Sequence, residues 1–402
     1  MTPTTPSPAP PPGDVHDISV RYLHQWATAP DPGGHRCDPG IPVLAHLVAD
    51  DRAAPAAVAV WCRTAGRGPS HPALYDGGLA GTLVGLHLGA GLHPGLRTAA
   101  DRLATHLRTR PPRYRTHHVA FPDYDLISGP AGTLLALCTT GGHGGRGGPG
   151  GQPPWQPLAT HLALLCDDEE LERLRTGQYA HHPQLAWVHG RINTGMGHGV
   201  AGLTTALTAA LRRTSTGTDL ASSLATALGR AARWLIRHAY DDERGIRTWP
   251  AAGPGSPPTP AAHPRQAWCY GTPGITWALW DAADALGDTT TADWATAAFT
   301  TLAEHYDETF HLYGDSPGDR LGLCHGAAGV LAVADAFDRH ARLPAAATLK
   351  NRLTHHLTDR LAPPWPAGWG ADLLTGLPGV LATLLTTAHT APRTWLSCLG
   401  LR

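Results

Sequence analysis

Cys269, Cys324 and His325 are the residues whose types and placement could do chemistry together. Each stands just before a glycine that opens an Ala/Leu-rich stretch, in Ala267-Trp-Cys269-Tyr-Gly271 and in Leu323-Cys324-His325-Gly326. A third such context is Gly195-Met-Gly-His198-Gly199. Two thiolates and one imidazole form a zinc ligand set, and three protein ligands leave the fourth tetrahedral position open, as a catalytic zinc requires. A lone cysteine in an Ala/Leu-rich chain is more simply a core residue, which is the reading for Cys138 and Cys166. Matched placement and the adjacent imidazole separate Cys269 and Cys324 from these. Of the 25 histidines most are expected to face solvent, and the pairs His117-His118, His181-His182 and His355-His356 receive no role. His198 differs from them only in standing at a matched position.

The matching comes from a repeat. A Gly-x-x-Gly signature recurs as Gly78-Leu-Ala-Gly81, Gly129-Pro-Ala-Gly132, Gly199-Val-Ala-Gly202, Gly271-Thr-Pro-Gly274, Gly326-Ala-Ala-Gly329 and Gly376-Leu-Pro-Gly379. Each leads into a segment that is apolar almost all round, which predicts a buried helix. Between them lie amphipathic stretches at 96–108, 220–238, 292–306 and 346–361, with apolar residues at helical spacing and charges opposite. Inner and outer helices therefore alternate at a period of roughly 50–70 residues, longer than that of open helical solenoids. An open array also needs a polar terminal cap, yet the last signature is as apolar as the middle ones. The expectation is an all-α fold, a closed double-layered α/α toroid, with the glycines marking where each inner helix begins at one rim. If the glycines are equivalent, His198, Cys269, Cys324 and His325 share that rim. The segment before Asp76 carries no signature, so a seventh helical pair there is expected without a motif behind it. No run of alternating strand-type residues occurs. The Gly/Pro-rich stretches 141–154 and 251–263 read as surface loops within one domain.

Composition bounds the function. The 402 residues are 42% hydrophobic and 16% charged, enough for a sizeable core. Lysines plus arginines number 31 against 32 acids, which argues against a general nucleic-acid or anionic-membrane surface. No apolar run reaches the length of a transmembrane helix. The start, MTPTTPSPAPPPGD, lacks the features of a secretory signal and reads as a Pro-rich disordered tail over residues 1–15, followed by one toroid domain over 16–402. Seven scattered cysteines, an odd count, make no disulfide framework, so a reducing cytoplasm is expected.

The motifs Trp268-Cys-Tyr-Gly-x-Pro-Gly274, Cys324-His-Gly-x-Ala-Gly329 and Gly197-His-Gly-x-x-Gly202 together closely resemble those of the lanthipeptide cyclases, or lanthionine synthetase C-like proteins. The resemblance extends to Tyr124-Asp125-x-x-x-Gly129-x-x-Gly132 and to Arg265, and covers about residues 76–384. It implies an α/α toroid with one zinc on Cys269, Cys324 and His325. It further implies Michael addition of a substrate Cys to dehydroalanine or dehydrobutyrine in a dehydrated precursor peptide, giving a thioether ring. His198 is then suited to proton transfer, because an imidazole titrates near neutral pH. Asp125 either orients His198 or accepts the thiol proton. Arg265 either stabilises the enolate oxygen or supports a metal ligand from behind. The chain has no room for a fused dehydratase, so a separate dehydratase is expected.

Two other readings stay open at this point. One keeps the zinc but adds glutathione or another small thiol to dehydrated residues; the other is a non-catalytic peptide-binding scaffold of a biosynthetic complex. A toroidal glycosidase would need two facing carboxylates, and Asp125 is the only acid at a signature. A protein prenyltransferase would use a carboxylate among its zinc ligands, and these motifs contain none.

Overall fold

A computed structural model describes residues 12–29, 38–65, 71–109, 113–141, 153–253, 265–361, 365, 369–388 and 391–402. Residues 1–11 of the Pro-rich tail, Cys37 and most of the 141–154 and 251–263 stretches lie outside these.

The fold is an α/α toroid. Among the described residues an inner layer is formed by α2 (Gly40–Val48), α4 (Leu79–Gly89), α6 (Pro130–Thr140), α8 (Val200–Leu211), α10 (Thr272–Leu286), α14 (Ala327–His340) and α16 (Leu377–Thr387). Each packs on the next in that order, and α16 packs back on α2, so the ring is closed. The outer layer follows the chain: α3 (Ala53–Thr64) covers α2, α5 (Leu96–Thr109) covers α4, and α7 (Gln156–Leu164) covers α6. Likewise α9 (Asp219–Arg237) covers α8, α11 (Thr289–His305) covers α10, and α15 (Pro344–Thr358) covers α14. The outer partner of α16 comes from the other end of the chain, as α1 (Pro12–Thr28). The segment before Asp76 therefore supplies the seventh pair, α2 with α3, and the ring closes where α16 packs on α2 and takes α1 as its outer partner.

The periodicities explain the layers. Inner helices such as α8 and α16 are buried along almost their whole length. In α9 the buried residues Leu224, Ala227, Leu228, Ala231 and Leu235 recur at helical spacing, and the side chain of Thr218 caps its first turn. Proline at the first turn of α6, α10 and α16 fits a position whose N–H has no helical partner. Among the described residues the strands are two residues each, in two antiparallel ladders: Ile192–Asn193 with Ala252–Gly253, and Tyr240–Asp241 with Arg247–Thr248. Ile192 lies opposite Gly253 and Tyr240 opposite Thr248. His117, His118, His181 and His182 are exposed, whereas His355 and His356 are half-buried on α15.

The glycine signatures are close-approach sites. A Cβ on the second glycine would stand 2.0–2.1 Å from the carbonyl oxygen six residues upstream, at Gly132 (Leu126), Gly202 (Met196), Gly274 (Trp268), Gly329 (Leu323) and Gly379 (Leu373). Each loop thus folds down onto the start of its own inner helix, which only glycine permits. Neighbouring loops are then tied by backbone hydrogen bonds. Tyr75 donates to Ile127 (3.1 Å), Leu126 to Gly197 (3.1 Å), Met196 to Cys269 (2.8 Å), Cys269 to Cys324 (3.3 Å) and Cys324 to Leu374 (2.9 Å). The last junction uses a side chain: Asp38 accepts from Leu373 N–H at 2.7 Å and from Gly40 N–H at 2.8 Å.

The C-terminal segment occupies the middle of the ring. The side chains of Tyr75, Trp268 and Trp277, from two different repeats, donate to the carbonyls of Cys398, Leu399 and Gly400 at 2.8, 2.9 and 2.9 Å. Trp395, Cys398, Leu399 and Leu401 are buried there.

Candidate active site

The loop belt sets the register of the rim. Cys269 and Cys324 each follow the residue that sits six positions before the second glycine of their repeat, Trp268 and Leu323 respectively. Because α10 and α14 are ring neighbours, equal register puts the two thiols side by side. His325, one residue on, completes a cluster in which the three ligand atoms lie within 4.8 Å of one another. No other His, Cys, Asp or Glu joins it among the described residues. Thiolate and imidazole donors on a tetrahedral zinc stand roughly 3.5–3.8 Å apart, so small side-chain rotations bring this set to the metal.

The proton distribution suits a metal. The Cys324 thiol is held well below the usual thiol range by the hydrogen bond from Cys269, against burial, with His325 and the charge on His198 helping. Burial pushes the Cys269 thiol well above that range, aided by Cys324. The hydrogen bond to Cys324 raises the His325 imidazole against burial, and Asp319 adds to the rise. By contrast, burial alone accounts for Cys138, pushed up to about 12, and mainly for Cys166, also about 12, as expected of packing residues.

His198 occupies in its loop the position that His325 has in its own. The glycines around it seat this loop on the metal cluster: a Cβ at Gly195 would stand 2.4 Å from the Cys269 carbonyl oxygen, and one at Gly197 3.5 Å from Cys269 Cβ. The imidazole Nδ1–H donates to Asp125 Oδ2 at 2.5 Å. Asp125 is fully buried and its Oδ1 accepts from Ser128 N–H (2.8 Å) and Oγ–H (3.1 Å), so the carboxylate is fixed. The ring of Phe121 stacks on the imidazole at 4.6 Å, and Tyr124 Oη–H donates to the His198 carbonyl at 2.9 Å. Burial works to lower the His198 pKa, but the hydrogen bond and charge of Asp125, with Cys324 and Asp76 behind, leave it raised.

Arg265 points at the ligand loop. Its Nη1 donates at 3.5 Å to the carbonyls of Tyr313, Asp319 and His325, and its guanidinium lies 4.1 Å over the Tyr313 ring. These contacts set one nitrogen of Arg265 against the backbone of the loop that carries His325.

The sequence reading had not singled out Tyr270, Asn193, Phe121 or Asp319. Tyr270 lies between Cys269 and Gly271, and its Oη accepts from Asn193 Nδ2–H at 2.8 Å, tying the two loops together. Its place inside a signature was a usable signal. Phe121 and Asp319 lie outside every signature.

A family model for lanthionine synthetase C-like proteins matches residues 63–399. A solved structure named nisin cyclase superposes with a TM-score of 0.74 at 20% identity, over 96% of this chain and 96% of that one, which shows a shared fold. No curated protein sequence matches the chain. With the family match spanning most of the toroid and all of the rim loops described above, the chain belongs to the lanthionine synthetase C-like family.

Proposed function

We propose that this protein is a stand-alone, zinc-dependent lanthipeptide cyclase. It joins Cys thiols of a dehydrated precursor peptide to dehydroalanine or dehydrobutyrine, forming lanthionine and methyllanthionine rings. One observation carries the reading: a three-donor cluster and a His198–Asp125 pair meet on one rim from loops far apart in sequence. The soft donor set fits zinc. Bound there, zinc would supply the positive charge that keeps a substrate thiol ionised near neutral pH.

The remaining steps fall to the chain's own residues. The substrate thiol releases its proton to bulk water, its sulfur bonds to the alkene β-carbon, and the alkene electron pair moves onto the α-carbon and its carbonyl as an enolate; the proton later given to the α-carbon is replaced on its donor from water. His198, with Nδ1 engaged by Asp125, has Nε2 as the atom that hands a proton to the α-carbon. Arg265 keeps the His325 backbone in place. A separate dehydratase acts earlier, because the alkene must exist before the thiol can add. Free cysteines, and the absence of any helix among the described residues long and apolar enough to cross a membrane, fit a cytoplasmic enzyme.

Metal analysis of the purified protein is expected to give near-stoichiometric zinc, most of it lost in Cys269→Ala and in Cys324→Ala. His198→Asn is expected to keep zinc and lose enzymatic cyclisation. Cyclisation leaves the mass unchanged, so a dehydrated precursor is incubated and then alkylated to count free thiols against an enzyme-free control. One thiol should vanish per ring. An unchanged thiol count together with rapid glutathione addition would move the assignment to the intermolecular reaction; full zinc occupancy in both cysteine variants would remove the metal site.

A further inference from the structure

We propose that Asp319 is the positioning residue of the metal centre: it fixes the ring and tautomer of His325 so that Nε2 is presented to the ion. The proposal rests on the zinc reading above. His325 Nδ1 lies 3.2 Å from Asp319 Oδ1. An ionised carboxylate only accepts, so Nδ1 carries the proton and Nε2 is left as the donor toward the cysteines. A carboxylate behind a metal-bound imidazole sets its orientation and raises its basicity.

The carboxylate is itself built into place. Asp319 lies in α13 (Pro317–Leu321), and its Oδ2 accepts from Ser316 N–H at 3.2 Å and Ser316 Oγ–H at 2.8 Å, while Ser316 Oγ accepts from Asp319 N–H at 3.2 Å. This reciprocal box orients one oxygen and frees the other for His325. Gly314, at φ +129°, makes room: a Cβ there would stand 2.4 Å from Asp319 Cβ. Arg265 Nη1 lies 3.5 Å from both the Asp319 and the His325 carbonyl, bridging the backbone of the two residues.

Zinc dissociation constants, obtained by competition with a chromophoric chelator, test this in the full chain. Asp319→Ala is expected to weaken zinc by about 10–100-fold. Asp319→Asn, which keeps an acceptor for Nδ1–H but not the charge, should recover part of that loss. Ser316→Ala removes the Oγ–H that helps hold Asp319 Oδ2 but keeps the carboxylate and the backbone N–H donor, and should cost less than Asp319→Ala. Cobalt substituted for zinc should show an altered visible spectrum in Asp319→Ala only. Wild-type zinc affinity in Asp319→Ala, or an equal loss in Ser316→Ala, would overturn the positioning role and leave the metal site standing. A wild-type chain that binds no zinc would overturn the metal site and this role with it.

Discussion

At His198 two effects of opposite sign act on one imidazole. Burial against Phe121 disfavours the cation, and a fully buried Asp125 favours it; the carboxylate wins because the contact is direct and the charge has nowhere else to be neutralised. A raised pKa enlarges the protonated fraction of His198, the state that a proton donor to carbon needs. Asp125→Asn keeps an acceptor for Nδ1–H and removes the charge, leaving burial unopposed. The His198 titration, followed by NMR, should then move to lower pH than in wild type. The alkaline limb of the cyclisation rate should move the same way, since loss of the donor proton now occurs at lower pH. An unmoved limb would show that Asp125 serves only to hold the rim. Asp125 and His198 were both legible in the sequence, because each sits at a signature. Asp319 was not: it acts across a turn on a neighbouring imidazole, and its only sequence trace is a Ser316-x-x-Asp319 box of a kind that opens many helices.

At the scale of the element, the six signatures disclosed the inner helices because close backbone approach leaves a chemical trace: only glycine fits. Of the seven outer helices described, α5, α9, α11 and α15 were legible through amphipathic periodicity, and the 96–108 and 220–238 stretches fall on α5 and α9 to within a residue. The same close approach gives a quantitative expectation at Gly329. Alanine in a helix is favoured over glycine by about 1 kcal/mol. Here the new Cβ would meet Leu323 O at 2.0 Å and Trp268 Cβ at 2.8 Å, neither of them the end of a flexible chain. Overpacking of this kind costs about 1–3 kcal/mol. Gly329→Ala should therefore show a net loss in urea unfolding, and a weaker zinc affinity because the displaced loop carries Cys324 and His325. Gly95, with nothing within 4 Å of an added Cβ, is the control. Gly95→Ala should stay within about 0.5 kcal/mol of wild type. Equal stability of the two variants would mean that the rim loops adapt freely, and that glycine is not what fixes the register.

At the scale of the whole molecule the ring must close between chain ends, and that joint is where local patterns fell silent. The first inner helix, α2, lacks the doubled glycine, and the outer partner of α16 is more than 300 residues away in α1, a pairing no window of sequence can display. In place of another loop-to-loop backbone bond, Asp38 reaches across to Leu373. Burial raises its pKa first, with the charges of Asp372 and Asp76 adding and the N–H groups of Gly40 and Leu373 opposing, to about 8. The unfolded chain releases this proton near pH 4. Between about pH 4 and 8 the folded state therefore binds one more proton at Asp38 than the unfolded state does, and stability declines as pH rises. For a single group the slope is about 1.4 kcal/mol per pH unit inside that window; it vanishes below the unfolded value, where both states are protonated, and above about 8, where both are ionised. The substitution Asp38→Asn keeps a neutral acceptor for Gly40 and Leu373 and removes the ionisable group. Urea unfolding of both proteins from pH 5 to 8.5 isolates Asp38 and the groups coupled to it, because titrating groups that do not interact with it cancel in the difference. The variant should gain on wild type steadily with pH and lead most at the alkaline end. A constant difference across the range would mean that Asp38 is ionised throughout, held by its two N–H donors, and that the joint closes on a charge.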